Sequence, residues 1–288
     1  MFIPSSSPRR RAIRLGERPS GSGASSHNGG MADTDRIRSI AVAVMAVVQT
    51  VVALGSQVVV NAKNTNAAIS ADNRSPVTPA GYAFSIWGLI FLACLALAVY
   101  QLRPGQPERE VHRRTGWWLV GAFTASALFN PVFANRILWL AELAVLALVV
   151  CLAMAARRFR ALGRASSPVE QLALRLPVTL YLGWATLASA AGLGAALRSS
   201  GMPERATWVT ALSLLITLAV LVASVIAVGR LVAAAGFAFT ACWALVAVAA
   251  ATYAGPVRVA AVVAALLILV VLGLRAAKSR HPRTVLFG

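Results

Sequence analysis

Apolar runs of about twenty residues, separated by short polar stretches, repeat along most of the chain, at 38–60, 79–101, 117–134, 137–156, 174–196, 207–228, 231–253 and 257–275. Each is long enough to cross a hydrocarbon core of about 30 Å. Lipid offers no partner to an unpaired backbone group, so each run must close its hydrogen bonds internally as a helix. The pattern therefore predicts an all-α, polytopic membrane helix bundle of about eight transmembrane helices. Pro79, Pro203 and Pro256 fall at ends or connections, whereas Pro131 and Pro177 fall inside runs and predict a kink or an early turn.

The remaining segments are short. Residues 1–37 form a basic N-terminal tail rich in Ser, Gly and Arg, and its lack of apolar periodicity predicts disorder. Met31 begins a stretch that looks like an alternative translation start. The run from Ile40 to Val60 exceeds the roughly 7–15 apolar residues of a signal h-region, which argues for a retained helix over a cleaved leader. Residues 38–200 hold the first five helices, 201–276 hold three more, and 277–288 are expected to be a cytoplasmic tail. Loops at 61–78, 102–116 and 157–173 are too small for a globular domain, so the protein acts within the membrane or at its surface.

Composition sharpens this picture. The chain is 58% hydrophobic and 12% charged, against roughly 45–50% and about 25% for soluble domains. With a mean hydropathy of +0.73, a soluble enzyme, a disordered protein and a disulfide scaffold are all excluded. The net charge of +18 would suggest nucleic acid on a soluble protein. Here the basic residues lie between apolar runs, so anionic membrane lipids are the expected partner and nucleic acid is not. Of 27 Lys and Arg residues, 21 fall on the side of the N-terminus. This bias predicts cytoplasmic termini and a multi-pass protein of the cell inner (plasma) membrane. Cys94, Cys151 and Cys242 each lie inside an apolar run and read as core residues. His27, His112 and His281 fall outside the runs. With no nucleophile–base pair and no metal motif, the expectation is no enzyme, no cofactor and no metal.

A few residues stand out against the apolar background. Glu142 is the one carboxylate in the middle of a run, about five residues into its helix. It reads either as a ligand or proton site or as an interfacial group snorkelling to headgroups, and Arg136 is a plausible charge partner. In the segment Pro79–Phe91, Tyr82, Phe84 and Trp87 crowd one end. Trp87 lies deeper, with Ala83 and Phe91 on its helical face, which suits a pocket wall or helix packing equally. Asn130 precedes Pro131 and can bond across helices or back onto backbone carbonyls. Tyr181 and Trp184 lead into the small residues from Ala185 to Gly192, which suit close packing or room for a ligand.

In order, these patterns resemble the TspO/MBR family of tryptophan-rich sensory proteins, related to the mitochondrial translocator protein. The family's proline-led second helix with its tryptophan is matched by Pro79 to Trp87. Its Asn–Pro–Phe pattern is matched by Asn130, Pro131 and Phe133. A Trp followed three residues later by an acid is matched by Trp139 and Glu142, and a Tyr-Leu-small-Trp pattern by Tyr181 to Trp184. The resemblance covers about residues 38–200. The third helix lacks the tryptophans usual after the Asn, and Gly192 stands about where the family places an Asn. The chain thus looks like a longer, divergent branch.

The resemblance implies a TspO-like five-helix core enclosing an apolar pocket, plus three C-terminal helices. It implies a sensor or carrier that binds porphyrin, tetrapyrrole-like or sterol-like molecules, with Trp87, Phe91, Asn130, Trp139, Glu142, Tyr181 and Trp184 as ligand-binding candidates. The alternative is a proton-coupled secondary transporter or permease for a small solute. Glu142 would serve it, but no internal repeat and no matching pair of broken helices supports it. The last three helices are nearly featureless, and they suit a cover over the bundle, a homo-oligomer interface or a partner site.

Overall fold

The computed structural model describes residues 24–59 and 65–288, and the side chains of 33–56 and 65–288. Among the described residues there is no strand, and eight helices are long and apolar enough to cross a membrane. In chain order the elements are α1 (Ala24–Val59), a short α2 (Asn66–Asp72), a 3₁₀ turn (Gly81–Ser85) leading into α3 (Ile86–Gln101), α4 (Glu110–Ala134) and α5 (Leu138–Leu162). A single span, Pro168–Ser199, is built from α6 (Pro168–Glu170), a π turn (Gln171–Arg175) and α7 (Leu176–Ser199). Then come α8 (Thr207–Arg230), α9 (Ala234–Ala251), α10 (Gly255–Lys278) and a short α11 (Pro282–Phe287).

Several helices outrun their apolar stretches. The disordered tail expected over residues 1–37 falls partly outside the described residues, but from Ala24 the chain is already helical. The polar turn of α1 is held by ion pairs: Asp35 accepts from Arg38 Nη1 at 2.8 Å and from Arg113 Nε on α4 at 2.8 Å. By the same extension α4 begins ahead of its apolar run, so His112 lies inside the helix, fully buried beside Tyr100, rather than in a loop. Pro131 leaves α4 intact as far as Ala134, and the sharp turn to α5 follows at Arg136, whose φ of 60° is left-handed. The irregularity expected at Pro177 takes the form of the π turn just before α7, which ends two residues ahead of the proline.

The helix order explains where a site can form. α4 packs between α1 and α5, α5 packs on α7, and α3 lies against α1 and α7. On its other side α7 meets α9 and α8, while α10 closes on α8 and α9. α7 is thus shared by the first five spans and the last three. Its approach to α9 depends on glycine: a methyl group at Gly183 would collide with Thr240 and the Phe237 backbone, and one at Gly236 with Thr179 and the backbone of α7. Thr179 Oγ1 donates to the Ala233 carbonyl at 2.7 Å, and Thr240 Oγ1 to the Leu180 carbonyl at 2.9 Å. Small residues with crossed hydroxyl bonds are how helices associate where no hydrophobic drive separates them from lipid.

Contacts sort the loops into two ends, in the alternation that the arginine count predicts. At one end Arg38 reaches the Pro107 carbonyl, Arg109 pairs with Glu170, and Arg275 donates to the Leu231 carbonyl. The C-terminal residues lie against this end. Val285 is buried, and Gln171 Nε2 donates to the Gly288 carbonyl at 2.7 Å. At the opposite end Arg136 pairs with Asp72 at 2.6 Å, and Tyr253 donates to the Glu204 carbonyl at 2.6 Å.

Candidate functional site

An apolar cavity opens between α3, α4, α5, α7, α8 and α9, in the half of the bundle away from the arginine-rich end. The chain before α3 roofs it. Ser75, Val77 and Thr78 are buried, Ala80 N donates to the Ala247 carbonyl at 3.0 Å, and Trp243 Nε1 donates to the Ala83 carbonyl at 3.1 Å. These bonds tie the roof to α9, so the last three helices are part of how the cavity is closed.

Trp87 is the hub of the aromatic wall. It stacks on Phe91 and Phe129, with ring centroids 5.2 and 6.2 Å away. Tyr181 and Trp184 meet it edge-on at 5.8 and 5.9 Å, and Trp184 in turn meets Phe84 edge-on at 6.0 Å. Offset and edge-to-face pairs of this kind each add about 0.5–1.5 kcal/mol beyond the area they bury. The wall is therefore a rigid surface, with Trp87, Trp184, Phe84 and Phe129 all facing the cavity.

Glu142 lies on the α5 side and is the one ionisable residue of the lining. It is only 6% exposed, which decides against snorkelling to the headgroups. Its Oε2 has no hydrogen-bond partner. Arg136 does not serve it, because the turn after α4 aims that guanidinium at Asp72. The carboxyl group rests against α7 at Gly192, where any side chain would collide with Oε2. The glycine that departs from the family pattern is thus the space the carboxyl group occupies.

Of the seven residues singled out by sequence, Trp87, Glu142 and Trp184 line the cavity together. Phe91 and Tyr181 stand behind Trp87, and the Tyr181 hydroxyl donates to Ser126 Oγ at 2.6 Å. Asn130 is buried but does not reach the cavity: its Nδ2 bonds back to the Ser126 carbonyl at 2.9 Å, the backbone role that competed with a ligand role. Trp139 lies outside, half-exposed on the bundle surface, with Nε1 donating to Ser200 Oγ at 2.9 Å. Sequence reasoning missed the wall from α8 and α9, including Ile216, Thr217, Val220, Ala244, Leu245 and Val248. One signal was present: the buried positions of α8, Val209, Ser213, Thr217, Val220, Ser224 and Val228, form a small-residue stripe at helical spacing.

The fold and the cavity together define a polytopic helical membrane protein with an aromatic-walled apolar chamber inside its bundle. A family model described as TSPO-like protein matches residues 38–274, and the chain belongs to that family. The match runs past the five-helix region through α8 and α9 into α10. No curated protein and no solved structure matches the chain.

Proposed function

We propose that this TSPO-like membrane protein binds a flat, hydrophobic, tetrapyrrole-like or sterol-like molecule in the cavity between α3, α4, α5, α7, α8 and α9, as a sensor or carrier. The observation that carries the reading is a set of three buried polar atoms without partners on residues that line one apolar cavity: Trp87 Nε1, Trp184 Nε1 and Glu142 Oε2. Leaving such a group unsatisfied costs about 1–3 kcal/mol. A ligand that supplies the partners recovers this while its ring stacks on the aromatic wall. The arginine-rich end, with both termini, belongs on the cytoplasmic side of the inner membrane.

The cavity encloses about 50 Å³, room for a few waters, whereas ligand pockets run to about 300–1,000 Å³. Binding therefore requires one wall to yield, and α8 is a wall with few cross-helix bonds. Among the described residues, the one side-chain hydrogen bond from a neighbouring helix to α8 runs from Arg275 to the Val228 carbonyl, at the far end from the cavity. At cavity level Ile216, Thr217 and Val220 meet the rest of the chamber without any such bond. The test is a titration of detergent-solubilised protein with protoporphyrin IX, followed by tryptophan quenching, with an unrelated membrane protein as the control for micelle partition. Saturable quenching that Trp87→Ala and Trp184→Ala each weaken about tenfold is expected. Quenching equal to the control, or unchanged in both variants, contradicts the reading.

A further inference from the structure

The charge pattern of the chamber narrows the class of ligand. Its lining carries one carboxyl group, two indole N–H groups and two hydroxyls, on Ser70 and Thr217, and no Arg, Lys or His. Glu142 is more than nine-tenths buried, lines this space, and carries an unpartnered oxygen, Oε2, that lies against α7 at Gly192. Resting on the binding reading above, we infer that the chamber selects hydrophobic molecules bearing a basic nitrogen over neutral or acidic ones of the same shape.

Three physical arguments converge on a nitrogen base. A basic amine facing a buried carboxyl group can take up its proton, and the resulting ammonium donates a charge-assisted N–H···O bond to the carboxylate, about twice as strong as a neutral one. Trp87, Trp184, Phe84 and Phe129 line the same space, and an ammonium group that reaches an aromatic face there gains a further cation–π attraction. An acidic head group would instead bring a second acid beside Glu142, where the two cannot both ionise without repulsion and no base in the lining offsets a buried negative charge. Gly192 is the residue that gives the Glu142 carboxyl oxygen room against α7.

Three probes with one ring system isolate the head group: 1-pyrenemethylamine, 1-pyrenemethanol and 1-pyrenecarboxylic acid. Each is titrated into the purified full chain in a non-ionic detergent, with energy transfer from tryptophan to pyrene as the signal. The expected order is amine, then alcohol, then acid, with the amine at least about tenfold tighter than the acid. Glu142→Gln should remove the amine's advantage while alcohol binding persists, which also shows that the variant folds. Equal affinities in the wild type, or an amine preference that survives Glu142→Gln, overturn the inference and leave the chamber as a site for apolar molecules. No saturable signal from any of the three overturns both this inference and the binding reading beneath it.

Discussion

Glu170 and Glu142 are carboxylates buried almost equally, 1% and 6% exposed, in the two halves of one bundle. At the arginine-rich end Glu170 is saturated. It takes Arg109 Nη2 at 2.6 Å, Arg175 Nε and Nη2 at 2.9 and 2.7 Å, and the Ser166 backbone and hydroxyl at 3.2 and 2.9 Å. At the cavity Glu142 Oε2 has no partner. A buried charge with every lone pair engaged is a structural joint, here fastening α4, the loop after α5 and the π turn. A buried acid left unengaged on an apolar wall is tolerated only at a cost to folding, and in membranes such groups mark functional sites.

The contrast predicts opposite consequences of mutation. The largest effect is expected from Glu170→Ala, which removes the carboxylate partner of the fully buried Arg175 and of Arg109. Removing one partner of a buried pair costs about 3–5 kcal/mol, so unfolding in a detergent titration should shift by that much, with ligand affinity changed only through loss of folded protein. Gly192→Ala should be milder. The added methyl meets the far end of the flexible Glu142 side chain, which can move aside, while replacing glycine inside a helix returns about 1 kcal/mol. Net stability should stay within about 1 kcal/mol of wild type, while the displaced carboxyl group weakens pyrenemethylamine binding. The smallest effect should come from Glu142→Gln. Because no partner is lost, apo stability should stay within about 1 kcal/mol of wild type or rise. A loss as large as that of Glu170→Ala would show that Glu142 is a structural joint as well, and the comparison would fail.

Much of the architecture was legible because two independent signals agreed. Lipid forces each apolar run into a helix, and the alternation of arginines fixes which loops share an end. The helix ends were less legible, since ion pairs such as Asp35 with Arg113 carry α1 and α4 beyond the hydrocarbon stretch. The site was legible in part. Trp87, Trp184 and Glu142 stand out by chemistry, but in a helix apolar on all sides the sequence does not show which way a residue faces. Trp139 and Glu142 lie three residues apart on α5, yet the edge of the buried face falls between them, leaving one half-exposed and the other enclosed. The α8 and α9 walls were least visible, because Ala, Val and Ile carry no mark of their role until packing against α7 places them.

The central claim is that one chamber, shared by the first five spans and the last three, holds the ligand. Photo-crosslinking with a diazirine-bearing hydrophobic amine, followed by peptide mapping, tests it most directly. The account predicts adducts on Glu142 and on the wall residues within 187–192 and 216–220, all competed away by pyrenemethylamine. Adducts confined to lipid-facing positions such as Leu143 and Leu215, and not competed, would contradict it.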